Sequence, residues 1–91
     1  MCRNIQKLFN IDPPATEDEV RGAALQYVRK ISGYTKPSEA NLDAFERAVD
    51  AVAEASGRLL AELVTSAPPR NRELDAARAR ARAAERFGAA A

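Results

Sequence analysis

Residues 39–65 read EANLDAFERAVDAVAEASGRLLAELVT, and this stretch decides the fold. Phe45, Val49, Val52, Ser56, Leu59 and Leu63 recur at alternating steps of four and three, the spacing of one face of an α-helix. At 1.5 Å per residue, a helix over this span is about 40 Å long, enough to be the spine of a small domain. Ser38 or Asn41 supplies its N-cap. Gly57 interrupts it mildly, at about 1 kcal/mol relative to alanine. Another face carries Glu39, Asp43, Glu46, Asp50 and Glu54 at helical spacing, an acidic stripe, with Glu62 further along.

Toward the N-terminus, Thr16-Glu17-Asp18-Glu19 reads as a capping box with acids in the first turn. Val20, Ala24, Tyr27, Val28 and Ile31 then share a stripe, and Gly33 stops the helix, which spans 16–33. Pro13-Pro14 separates it from residues 1–12, where Ile5, Leu8 and Phe9 at i, i+3 and i+4 predict a short N-terminal helix. Toward the C-terminus, Pro68-Pro69 repeats the punctuation, and Asn71 caps a helix within 71–88 whose apolar face, Leu74, Ala77, Ala81 and Ala84, is shallow. Small side chains bury little area, so this helix is expected to be the least firmly held. No period-two alternation suggests a strand. The expected fold is all-α: one domain over 1–91, a small three-helix bundle with a short N-terminal helix and a long central helix. Its expected core is Ile5, Leu8, Phe9, Val20, Ala24, Tyr27, Val28, Ile31, Phe45, Val49, Val52, Leu59, Leu63 and Leu74.

The composition, 46% hydrophobic and 30% charged, is that of a folded chain. The net charge of +1 conceals blocks: +1 over 1–12, −3 over 13–19, +4 over 20–38, −4 over 39–67 and +3 over 68–91. Opposite charges on neighbouring helices favour their packing, so the blocks predict an acidic central helix satisfied internally by two basic flanking ones. A near-neutral total removes the simplest argument for a dedicated nucleic-acid binder. With no histidine and a single cysteine, Cys2, the chain has no Ser-His or Cys-His pair, no internal disulfide and no usual transition-metal ligand set. No phosphate loop, dinucleotide fingerprint or nucleophile elbow is present. The expectation is a non-enzymatic protein without cofactor or metal. No apolar run reaches the roughly 18 residues of a membrane span, and the first residues lack a secretory signal, so the expected location is cytoplasmic.

Three segments are candidate binding surfaces. Arg21, Tyr27, Arg29, Lys30, Tyr34 and Lys36 combine cations and aromatics with no acid between them, a composition suited to a phosphate backbone and a stacked base. The structural alternative places Tyr27 in the core and leaves Arg29 and Lys30 to complement the helix dipole. Arg78, Arg82 and Arg86 share one face of the last helix, but Arg80 points away and Asp75 and Glu85 dilute the stripe. The N-terminal Cys2, with Arg3 and Asn4, becomes an aminothiol if the initiator methionine is removed. A cysteine packed against Leu8 or Phe9 is the alternative. The acidic stripe looks solvent-facing, and charge pairing explains it without a metal or acid–base role.

Met1-Cys2-Arg3-Asn4-Ile5, Pro13-Pro14-Ala15-Thr16, Ala24-Leu25-Gln26-Tyr27-Val28-Arg29-Lys30, Ser32-Gly33 and Lys36-Pro37-Ser38, in this order, resemble a family of short bacterial proteins. The family is largely actinobacterial and is known as domain of unknown function twenty-two seventy-seven. The likeness extends over nearly the whole chain, including Ala67-Pro68-Pro69-Arg70 and the arginine-rich end. It implies a stand-alone cytoplasmic bacterial protein and brings no activity, cofactor or substrate with it. The functional expectation is a protein-interaction or adaptor module acting through a helix face, on another protein or on a second copy of itself. The rival is RNA or DNA binding through the 21–36 segment and the C-terminal arginines.

Overall fold

The structure, a computed structural model, describes residues 5–88. It is mostly helical: β1 (Ile11–Asp12), α1 (Glu17–Ser32), α2 (Glu39–Glu62), β2 (Arg70–Asn71) and α3 (Arg72–Gly88) follow in order. The local signals act as read. Thr16 Oγ1 accepts from the Glu19 backbone N–H at 3.1 Å, and the Glu19 carboxylate accepts from the Thr16 N–H at 3.0 Å, closing the capping box of α1. Gly33, at φ 78°, ends α1 in the left-handed region that glycine enters without a Cβ clash. Asn71 Oδ1 accepts from the Leu74 N–H at 2.8 Å and caps α3. Ser38 occupies the N-cap of α2 but makes no side-chain cap bond; its Oγ accepts instead from Asn41 Nδ2.

α1 and α2 form a hairpin, with Arg21 beside Asp50, Ala24 beside Val49 and Tyr34 bonded to Asn41, so the two helices run antiparallel. The fully buried cluster is small: Ala24, Val28 and Val49, with Leu25, Phe45, Ala48, Val52 and Ala53 packed around it and Val20 buried nearby. α1 and α2 pack along each other and α3 lies along neither, so only part of each predicted apolar stripe is covered. Of the expected core, Ile5, Tyr27, Ile31, Leu59, Leu63 and Leu74 are exposed.

The N-terminal segment departs from expectation. Residues 5–8 carry no regular structure, residues 9 and 10 bend, and Ile11–Asp12 pairs in parallel with Arg70–Asn71. Residues 1–4 of the predicted helix lie outside the described residues. A helix of this length is marginal in water, and the segment gains more by pairing its backbone with another part of the chain. Asn10 makes this possible. It sits at φ 55°, a region asparagine tolerates better than most residues. Its Nδ2 donates to the carbonyls of Ala67 and Pro68, both at 3.2 Å, and its own carbonyl accepts from the Arg70 N–H at 2.9 Å.

α3 is carried on this ladder and meets β2 rather than lying along the hairpin. Its anchor is Arg72, which donates to the Pro13 carbonyl and forms a two-pronged pair with Glu19. The molecule is flat, 51 × 40 × 17 Å, with a radius of gyration of 16.9 Å. A compact chain of this length has a radius of about 12 Å.

Candidate interaction surface

The hairpin has two unlike sides. One side is grooved and charged. Near the start of α1, a cleft of about 840 Å³ opens between the N-terminal segment and both helices, its floor formed by Leu8, Phe9, Val20, Ala53 and Leu60. Its rim carries two ion pairs, Arg21–Asp50 and Arg58–Glu54, both at 2.7 Å. Near the other end a second groove of about 650 Å³ is lined by Leu25, Leu42, Phe45 and Val49, with Arg29, Lys36 and Glu46 on its walls. The Arg29 Nε is buried there with no hydrogen-bond partner.

The other side is flat and apolar. Tyr27 and Ile31 lie one turn apart on α1, and Ala48, Val52, Ala55, Leu59 and Leu63 follow one another at helical spacing on α2. None of these residues lines either groove. Ile31 is 66% exposed and Leu59 55%. Just beyond the end of α2, Val64 is 93% exposed. Charge is confined to the margins, where Lys30 follows Tyr27 by three residues and Glu62 follows Leu59 by three.

The basic 21–36 segment is therefore divided. Arg21, Arg29 and Lys36 face the grooves, Arg21 already bound to Asp50. Tyr27 and Lys30 belong to the flat side. Tyr34 is partly exposed, and its Oη accepts from Asn41 Nδ2 at 3.3 Å. Arg78 and Arg82 stand on exposed turns of α3, as does Arg86. Cys2, Arg3 and Asn4 lie outside the described residues. Among the described residues no cluster of three or more acidic, cysteine or histidine side chains is placed to hold a metal, and no helix is long and apolar enough to cross a membrane.

The expected charge scheme needs correction. Among the described residues one ion pair, Arg21–Asp50, crosses from α1 to α2; Asp43–Arg47 and Glu54–Arg58 close within α2. Arg72 of α3 pairs with Glu19 of α1 rather than with an α2 acid, and α3 is carried by the ladder instead of lying along α2. Asn10, Glu19 and Arg72 build this junction; read from sequence, Glu19 is only part of the α1 capping box, and none of the three has a role between distant segments. The one signal pointing to them is that Pro13-Pro14 directly follows β1 and Pro68-Pro69 directly precedes β2.

Glu19 carries the clearest electrostatic signature. Its carboxyl is held below the usual carboxylate range, chiefly by the Arg72 guanidinium and then by the Thr16 backbone N–H. The same contact raises Arg72 above its ordinary value. The pair ties the start of α3 to the first turn of α1.

No curated protein and no solved structure matches the chain. A family model does, over residues 1–78: both grooves and the whole flat face fall inside that span, whereas Arg80, Arg82 and Arg86 fall beyond it. By that match the chain belongs to the uncharacterised conserved protein family DUF2277.

Proposed function

We propose that this protein is a non-enzymatic association module that works by presenting its exposed helix face to a protein partner. The observation that carries this reading is the apolar surface left uncovered. Tyr27, Ile31, Leu59 and Leu63 are all exposed on one side of the hairpin, and Val64 just beyond α2 is exposed as well. Contiguous apolar surface of this kind is costly to leave in water and marks interaction sites. The lack of histidine in the sequence supports the non-enzymatic part. The test is sedimentation and affinity capture with the wild-type chain. Association that is lost on placing a charge at Ile31 or Leu59 supports the reading. A strict monomer at high concentration that captures no protein refutes it.

A second reading, nucleic-acid binding, is favoured by α3 alone. It stands off the hairpin with Arg78, Arg80 and Arg82 exposed and without ion pairs among the described residues. That reading requires an affinity for generic RNA that falls steeply with salt, and replacing these three arginines by alanine should abolish it. It is the weaker of the two. The arginines point to different sides of the helix, Glu85 lies among them, and most of this stretch is outside the family match.

A further inference from the structure

We infer that the occupant of the flat face is a second copy of this chain, docked by a two-fold axis so that two helical hairpins close into a four-helix core. The inference rests on the association reading and adds the identity of the partner and the arrangement.

Three observations carry it. The first is area. Tyr27, Ile31, Leu59 and Leu63, at 46, 66, 55 and 44% exposure, share one side of the hairpin, and a stable interface buries roughly 800 Å² per partner. The second is the kind of surface. A flat face on two antiparallel helices, lined by Tyr27, Ile31, Val52, Leu59 and Leu63 and by alanines between them, is one half of a helical bundle. In a bundle it would be the third and fourth helices that cover such a stripe. α3 cannot be one of them, because the ladder and the Arg72–Glu19 pair fix its start elsewhere.

The third is self-complementarity. Val52, half-buried against the core cluster, lies near the middle of this stripe on α2. If two α2 helices cross antiparallel there, Leu59 and Leu63 of each copy come to the level of Tyr27 and Ile31 of the other, because α1 ends beside the start of α2. The same operation brings Lys30 of one copy near Glu62 of the other. Neither residue has an ion-pair partner among the described residues of its own chain. An isologous interface requires this matching of a patch to its own rotated image.

The experiment is sedimentation of the full chain from micromolar to near-millimolar concentration, with helicity followed by circular dichroism. The wild type is expected to be a dimer. Leu59→Lys and Ile31→Lys should each raise the dissociation constant at least about 30-fold while keeping the helical signal, since both side chains are already exposed in the single chain. Lys30→Glu alone should weaken the dimer by about fivefold, and adding Glu62→Lys should restore it. A monomeric wild type overturns the inference. So does a dimer that persists unchanged in both lysine variants, although association by another face would then survive. A wild type that is monomeric but captures a different protein through Leu59 refutes the second-copy inference and leaves the association reading standing.

Discussion

Glu19 accepts from the Thr16 backbone N–H and from the Arg72 guanidinium, so one carboxylate closes the cap of α1 and fixes the start of α3. Its folded-state pKa lies below its ordinary value of 4.5. The ionised group therefore contributes stability above that pH, and the contribution is lost as pH falls through the depressed value. Glu19→Gln should lower stability at neutral pH and converge with the wild type in acid, as read by denaturant midpoints along a pH series. Asn10 offers a separable test. Asn10→Gly keeps access to the left-handed region but removes the amide, whereas Asn10→Ala loses both, so alanine should be the worse substitution. Each variant should cost on the order of 1 kcal/mol, and the Arg70 amide, which donates to Asn10, should exchange faster in both. Thr16, Gly33 and Asn71 were legible from sequence because caps act over three or four residues. Asn10 was not, since its partners Ala67 and Pro68 lie more than fifty positions away and leave no local trace.

Periodicity located α1 and α2 but not which part of each stripe would be covered. A stripe spanning Val20, Ala24, Tyr27, Val28 and Ile31 is wide enough to meet two neighbours. With α2 alone against it, Ala24 and Val28 are buried and Tyr27 and Ile31 are left outside. The shallow alanine face of the last helix did announce weak docking, and α3 is indeed attached by its first turn rather than along its length. Its amides should therefore exchange before those around Ala24 and Val49 in native-state hydrogen exchange. Val49→Ala should destabilise the hairpin by about 1–3 kcal/mol, because few other side chains share the burial. Gly57→Ala should act in the opposite sense. A Cβ there meets nothing within 4 Å, so the gain in helix propensity, up to about 1 kcal/mol, is not offset by a clash.

For the molecule as a whole, the alternating charge blocks were a misleading guide, because most of the α2 acids that form ion pairs do so with arginines of α2 itself. The three long helices came from local pattern, whereas the expected N-terminal one did not form; the arrangement of α3 came from a ladder of two residues at each end. That ladder bears on the order of assembly. Joining Ile11 to Arg70 in an otherwise unfolded chain closes a loop of about sixty residues, at an entropic cost of about 3–4 kcal/mol. Once the hairpin has formed, the two strands are tethered by much shorter arms, so the closure comes late. Substitutions at Asn10 or Arg70 should accordingly speed unfolding and leave the folding rate nearly untouched, whereas those at Ala24 or Val49 should slow the forward reaction. The ladder thus works as a latch, fastened after the hairpin has nucleated and released before it melts.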